Sequence, residues 1–492
     1  MNNTRPFLIF LILFSFNFLN AQPNLIRKFA STPSNFYVHS GKLYFSASEI
    51  NSNNNELWVY DANNPLSSSN PKMLVDLNDD LSTSSFPKNF VSYNGKLFFR
   101  DNTYLYAYNS AEPISLTNPK KIGNNGNGLI VYNNRLYYEE ATEYPKSWLW
   151  VYDDTQSISS DNPKKLNNDL LINSTSLGFR FSSIVFNNKL YYCGSNSNDG
   201  NYELYVYNSN LTISNTNPKK ISEINIGNKP SIPKDFTILN NKLYFTANDG
   251  TGDELWSYNE VSNPTKAYDL DPNPYGGYFQ SKTLYNSKMY FSGHNNNYGT
   301  ELWRYDGINN PELVADINVG ADFSIPKKLT VYNNKLFFNA DNGTQGRELW
   351  FYDSTIQNST TNPKSIDVFP GIDSGIDLES DLIEYNGILY FSGRTNSVNI
   401  GLFSLNNNDL GLNEYTKILE STVYPNPTTE IVTIESPKES INKINVINSI
   451  GQEILTLSPN TNKEVISLKT KGFYFIQIKT DKGAKTVKLI VQ

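Results

Sequence analysis

The chain has 492 residues, of which 38% are hydrophobic, 14% aromatic and 18% charged, and its formal net charge is −7. The aromatic content is enough to supply a core, which excludes a largely disordered chain, and the acidic excess argues against a dedicated nucleic-acid-binding protein. A single cysteine excludes an intramolecular disulfide, and two histidines argue against a histidine-rich metal site or a histidine-centred triad.

Residues 1–21 have the order of a secretory signal peptide. Arg5 precedes an apolar run from Phe7 to Phe18 that is too short to span a membrane, and the small residue Ala21 ends the segment. We therefore expect export through the inner membrane and removal of these residues. No later segment reaches the ~18 consecutive apolar residues of a membrane span, so we expect no transmembrane segment in the mature chain.

Residues 22–419 contain eight copies of one unit, each built around a Lys-Leu-Tyr-Phe-like run. The central residues of these runs are Leu43, Leu97, Leu136, Leu190, Leu243, Met289, Leu336 and Leu389. Each run is followed by a Glu-Leu-Trp-x-Tyr-like run, and in seven copies an Asn-Pro pair then precedes another apolar segment. Such internal repetition predicts a modular fold built from one supersecondary unit.

Each unit is interpreted as four short strands. The Asn-Gly or Asn-Asn pair before most Lys-Leu-Tyr-Phe-like runs suits a two-residue hairpin turn, because both residues tolerate a positive φ. Proline suits the start of an edge strand, since it lacks an N–H donor. Four antiparallel strands repeated at this period predict an all-β, eight-bladed β-propeller, with seven blades as the alternative if the third copy does not form a blade. A strand at 25–30 would close the ring by pairing into the last blade, with residues 415–419 competing for that place.

The repeats resemble the ELWxxDGT-type repeats of secreted proteins from Bacteroidota. The copy with the closest match runs from Glu301 to Gly307, although Ile308 stands where the pattern has Thr. This resemblance implies a propeller and an exported protein, and it implies no established activity.

Residues 420–492 differ from the repeats and contain alternating strand-like segments, which predict a small immunoglobulin-like β-sandwich of about seven strands. Their order resembles the C-terminal sorting domain of type IX secretion substrates, the Por secretion tail. The residues that carry this resemblance are Tyr424, Pro425, Asn426, Pro427, Gly451, Gly472, Tyr474 and Lys488. The resemblance implies that the type IX secretion machinery is a partner. It also implies that the tail is removed near residue 420, with release or attachment at the cell surface.

Few residues in the sequence point to catalysis or to metal binding. Asp249, Asp253 and Asp341 lie in Gly-containing loops rich in oxygen ligands, so calcium is the one ion we consider. Their spacing does not match an EF-hand, and hairpin turns are the preferred interpretation. We predict no cofactor and no catalytic residue, because His39 and His294 lie in different repeats without a motif beside them.

Two functions remain open. The first is a non-enzymatic binding or adhesion module for a glycan, a protein or a cell surface, which near-equivalent repeats favour. The alternative is an extracellular glycan-active enzyme with paired carboxylates at the propeller centre.

Overall fold

The computed structural model describes residues 23–492 except 53, 79–82, 125, 144–145, 167–169, 173–181, 197–199, 215, 228, 273–275, 357–361, 370–372, 396–399, 407–420, 449–452 and 481–482. Strands are the only regular elements in these residues. The chain divides into two compact units, residues 1–411 and 412–492. The predicted signal peptide and the predicted domain boundary at 419/420 lie outside the described residues.

The first unit contains the repeats, and its strands are bounded as follows. It opens with β1 (Asn24–Phe29). The first two repeats contain β2 (Ser34–His39), β3 (Lys42–Ser48), β4 (Asn55–Tyr60), β5 (Lys72–Val75), β6 (Lys88–Tyr93), β7 (Lys96–Arg100), β8 (Tyr104–Tyr108) and β9 (Lys120–Asn124). The third and fourth contain β10 (Asn127–Tyr132), β11 (Arg135–Glu143), β12 (Lys146–Tyr152), β13 (Lys164–Lys165), β14 (Leu170–Ile172), β15 (Ser183–Phe186), β16 (Lys189–Asn196), β17 (Glu203–Tyr207) and β18 (Lys219–Lys220).

The second half of this unit follows the same plan. The fifth and sixth repeats contain β19 (Lys234–Leu239), β20 (Lys242–Asn248), β21 (Asp253–Tyr258), β22 (Thr265–Tyr268), β23 (Gln280–Tyr285), β24 (Lys288–Asn295), β25 (Gly299–Tyr305) and β26 (Glu312–Ala315). The seventh and eighth contain β27 (Lys327–Tyr332), β28 (Lys335–Asp341), β29 (Arg347–Tyr352), β30 (Lys364–Ile366), β31 (Leu382–Tyr385), β32 (Ile388–Arg394) and β33 (Ile400–Leu405).

The sheets radiate from a closed ring of first strands. Repeats one, two, five, six and seven each form a four-stranded antiparallel sheet whose strand order follows the chain. In the eighth repeat β1 supplies the fourth strand and pairs with β33, so the predicted closure by the N-terminal strand is confirmed. The first strands of successive repeats contact each other around the ring, and β31 contacts β2. This arrangement is a β-propeller.

The third and fourth repeats form one continuous sheet of nine strands. The short strand β14 pairs with the beginning of β12 in the third repeat and with the end of β16 in the fourth, and so joins the two sheets. The number of separate blades therefore stays a prediction.

The propeller core lies between neighbouring sheets. Leu43, Tyr44 and Phe45 of β3 are all almost fully buried, because this second strand has a neighbouring sheet on each of its faces. One core cluster joins Tyr290 of the sixth repeat with Phe338 and Trp350 of the seventh. The repeated aromatic residues thus form the packing between repeats.

Hairpin turns follow the predicted chemistry. Asn240 and Asn241, between β19 and β20, have φ values of 50° and 55°. Asn333 and Asn334 have 46° and 55° at the equivalent turn of the seventh repeat. Two consecutive residues with positive φ are what a type I′ turn requires.

The second unit is a β-sandwich of seven described strands. These are β34 (Thr422–Tyr424), β35 (Ile431–Glu435), β36 (Ile441–Asn448), β37 (Glu453–Leu457), β38 (Lys463–Ser467), β39 (Gly472–Thr480) and β40 (Gly483–Val491). They form two sheets, in the orders β34-β35-β38 and β37-β36-β39-β40. Side chains from both sheets, including Ile434, Val446 and Ile476, make one apolar core.

Candidate functional site

The Tyr-Pro-Asn-Pro segment of the predicted sorting motif is hydrogen-bonded to the C-terminal strand. Asn426 Nδ2 donates to the Lys488 carbonyl at 2.6 Å, and the Ile490 amide donates to Asn426 Oδ1 at 3.1 Å. Just beyond Pro427, Thr428 N donates to the Ile490 carbonyl at 2.9 Å. The structure therefore brings together the beginning and the end of the motif, which are more than 60 residues apart in sequence.

The other motif residues have distinct places in the same sandwich. Tyr424 is the last residue of β34, and its hydroxyl donates to Glu435 Oε2. Tyr474 is buried in the core, where its hydroxyl donates to the Thr470 carbonyl at 2.9 Å. Gly472 opens β39, and Pro425 and Pro427 both follow cis peptide bonds. Gly451 lies outside the described residues.

Lys488 lies on the outer face of β40. Its ammonium is 4.5 Å from the ring centroid of Phe473, a cation–π distance, and its Cα partner across the strands is Phe475. Both phenylalanines are exposed, so this face of the sandwich presents aromatic rings around a positive charge.

The three aspartates considered for calcium each have a partner within the protein. Asp249 Oδ2 is 2.8 Å from Lys266 Nζ, and Asp253 Oδ2 is 2.6 Å from Lys234 Nζ. Asp341 lies in a different repeat, and its Oδ1 accepts from the Gly343 amide at 2.8 Å, as a turn residue does. No group of three or more metal-ligating side chains occurs among the residues that the structure describes. Calcium binding stays a prediction.

The glutamates of the Glu-Leu-Trp-like runs have a role that the sequence does not reveal. The buried members are Glu56, Glu203, Glu254, Glu301 and Glu348. Glu301 accepts from the Ile317 and Ser324 amides at 2.9 and 3.0 Å and from the Ser324 hydroxyl at 2.6 Å. It therefore ties the loop leading into the next repeat to its own sheet. Burial raises the pKa of Glu301 to about 7.

Glu254 differs from the other buried glutamates. Neither of its carboxylate oxygens has a hydrogen-bond partner among the described residues. Burial raises the pKa of its carboxyl to about 8, and the nearby charge of Asp269 acts in the same direction. The position corresponding to Ser324 is Gly277, which has no hydroxyl to donate.

A cavity of about 380 Å³ opens where the sixth repeat meets the seventh. Its lining residues are Tyr278, Gln280, Ser292, His294, Thr300, Phe323 and Ile325. The His294 ring is stacked on Phe323 with a centroid distance of 5.6 Å, and Tyr278 meets it edge-on at 5.8 Å. Its volume and its aromatic walls with few polar groups are typical of a small-molecule site. The sequence did not indicate this site, since its residues come from four separate segments.

His39 and Cys193 are buried residues of the scaffold. His39 is buried, with Nδ1 2.8 Å from Ser92 Oγ and Nε2 3.1 Å from Ser40 Oγ, and burial lowers its pKa. Cys193 is buried in β16, where burial raises the pKa of its thiol, so it is a small core residue.

Comparison with known families identifies the second unit. Residues 422–492 match the family described as "Secretion system C-terminal sorting domain". These residues are a type IX secretion tail. A chain with this tail is a substrate of the type IX machinery, so the protein is secreted or displayed at the cell surface. The structure contains no helix, within the part of the chain that it describes, long and apolar enough to cross a membrane.

No curated protein matches the chain. Among solved structures it is similar to the computationally designed Ika8 protein, with 10% identity, a TM-score of 0.45 and coverage of 78% of this chain and 98% of the other. The β-propeller domain of the Trilobed protease from Pyrococcus furiosus has 10% identity, a TM-score of 0.39 and coverage of 78% and 94%. PorZ, a surface component of the type IX secretion system of Porphyromonas gingivalis, has 12% identity, a TM-score of 0.31 and coverage of 93% and 75%.

Proposed function

We propose that the propeller is a non-enzymatic binding module, of the ELWxxDGT-repeat type of exported Bacteroidota proteins, that engages a glycan, a protein or a cell surface outside the cell. The tail supports the extracellular location, since it makes the protein a substrate for secretion. The observation that carries the binding role is the aromatic-lined cavity between the sixth and seventh repeats.

The use of the carboxylates also favours binding. Glu301 and Glu348 hold loops through backbone amides, and Asp249 and Asp253 form ion pairs with lysines. Groups engaged in this way stabilise the scaffold. A glycan-active enzyme would need two carboxylates facing a substrate instead.

One pair of neighbouring carboxylates provides a test of the enzymatic alternative. Glu379 and Asp381 lie beside the ring of first strands, where Lys328 Nζ is 3.7 Å from the former and 2.6 Å from the latter. Lys327 also pairs with Glu379 at 2.5 Å. The two lysines balance both negative charges, which fits an ion-pair network better than an acid and a base.

The test is a glycan and protein array combined with a hydrolysis screen on the purified full chain. We expect saturable binding to at least one class of ligand, with no turnover. Hydrolysis that is lost in Glu379→Gln or Asp381→Asn, and retained in the exposed control Glu384→Gln, would replace the binding proposal with the enzymatic one.

A further inference from the structure

We infer that the cavity of the sixth repeat binds the pyranose ring of a neutral sugar. This inference rests on the proposed binding function and names its ligand class and its site.

The cavity lies at a position where other repeats place one of their own side chains. The residue just before the buried glutamate is Thr300 in the sixth repeat and Arg347 in the seventh. The Arg347 guanidinium donates to the Ser324 and Ile325 carbonyls at 3.1 and 3.0 Å and to Asn339 Oδ1 at 2.7 Å. In the seventh repeat, therefore, an arginine occupies this place.

Two further repeats fill the same position by other means. In the first repeat Asn55 Nδ2 donates to Ser31 Oγ at 3.1 Å, and Asn55 Oδ1 accepts from Ser46 Oγ. In the fifth, Asp253 forms an ion pair with Lys234 at 2.6 Å. Thr300 is too short to reach across, and its hydroxyl instead lies 3.2 Å from His294 Nδ1. The space is thus left open in the sixth repeat.

The walls of this space are held in place. The His294 ring packs against Phe323 and Tyr278, and its Nδ1 lies 3.2 Å from Thr300 Oγ1, so several contacts hold its orientation. Phe323 is half exposed, and with the exposed Tyr278 it flanks the imidazole at the mouth. Side chains that are already held in place lose little rotamer entropy when a ligand binds, which is the advantage of a preorganised site.

The chemistry of the lining matches a sugar ring. A pyranose has an apolar C–H face that packs on aromatic rings and a rim of hydroxyls that exchange hydrogen bonds with amide and hydroxyl side chains. Gln280, Ser292 and Thr300 are such partners at the cavity. None of the described lining residues is Asp, Glu, Lys or Arg, which favours a neutral sugar over a uronate or an amino sugar.

The test places an arginine at position 300, where the seventh repeat has Arg347 at the equivalent position. Saturation-transfer NMR on the full chain with free galactose, glucose, mannose, fucose and N-acetylglucosamine should show transfer to the ring C–H protons of at least one sugar. Thr300→Arg should abolish that transfer, and Phe323→Ala, which removes a wall without filling the site, should weaken it at least about tenfold. Thr103→Arg places the same change on an exposed loop of the second repeat and should leave the transfer intact.

The outcomes separate this inference from the proposed function. Transfer of equal strength in wild type and Thr300→Arg, with both proteins folded by circular dichroism, would overturn the cavity as the site. No transfer from any of these sugars, together with array binding to a protein, would overturn the sugar ligand while the binding function stands. Absence of both would overturn both.

Discussion

At the scale of single residues, the buried glutamate that begins five of the Glu-Leu-Trp-like runs is the most informative position. A carboxylate buried in a sheet is costly unless donors surround it, and for four of the five buried glutamates the loop entering the next repeat supplies them. The glutamate of this motif therefore connects a sheet to the loop that leaves it through buried hydrogen bonds.

Glu301→Ala should lower the free energy of unfolding by about 2 to 4 kcal/mol, because two amides and a hydroxyl lose their buried acceptor. Urea denaturation measures the change. The exposed Glu384→Ala serves as the control and should change the stability by less than about 0.5 kcal/mol. Equal stabilities of the two variants would contradict the fastening role.

Glu254 should make stability fall with rising pH. Its pKa in the folded protein is about 8, above the ordinary value of 4.5, so the folded state binds more protons than the unfolded state between these values. The free energy of unfolding from this group therefore decreases from pH 5 to pH 8. Glu254→Gln cannot titrate at this position, so it should make the decrease smaller, although Glu301 keeps a part of it, and the variant should be more stable than wild type at pH 8. Denaturation at several pH values tests this, with Glu384→Gln as a control that keeps the wild-type slope. A slope unchanged in Glu254→Gln would refute it.

At the scale of elements, the Asn-Pro pairs organise loops as well as starting strands. In five long loops the Asn side chain accepts from the amide that follows the third strand and donates to backbone carbonyls of the loop. In the fourth repeat Asn217 Oδ1 accepts from Asn208 N at 2.9 Å, while Nδ2 donates to the Asn208 and Leu211 carbonyls at 2.9 and 3.0 Å. The Asn217 side chain thus forms hydrogen bonds with backbone groups of the loop, which have no partners in a β-sheet.

Asn217→Ala should destabilise the protein by about 1 to 3 kcal/mol, because buried backbone groups lose their partners. Asn263→Ala is the matched control, since Asn263 also precedes a proline but is exposed in a shorter loop. Thermal unfolding of both variants measures the difference. A larger effect for Asn263→Ala would show that the hydrogen bonds of Asn217 do not matter.

At the scale of the whole molecule, the N-terminal strand joins the two ends of the ring. β1 pairs with β33 of the last repeat, and Phe29 packs edge-on against Trp58 of the first at 5.0 Å. Arg27 lies over the same tryptophan, 4.8 Å from its ring centroid. One strand therefore contacts both ends of the repeat array.

A chain that begins at Ala30 should lose at least about 3 kcal/mol of stability and much of its cooperativity relative to one that begins at Asn24, since Phe29 alone buries a whole aromatic side chain. Calorimetry of the two truncated proteins tests the prediction. Superimposable transitions would mean that the ring closes without β1.

Much of this architecture could be predicted, because it depends on local patterns. The Lys-Leu-Tyr-Phe-like runs become buried second strands, the Asn-Asn pairs become turns, and the segment from residue 25 joins the last sheet. Joining of the third and fourth repeats could not be predicted, because β14 has only three residues and pairs with strands of two repeats.

The sequence by itself determined the order of parts in this protein: an expected export signal, a repeated four-stranded unit and a sorting tail. These are recorded in hydrophobic periodicity and short motifs, which depend on neighbouring residues. Only the tertiary structure decided that Glu301 fastens a loop, that Asn426 contacts the last strand and that Thr300 leaves a cavity open. The partners of these residues lie in distant segments, so their contacts exist only once the chain has folded.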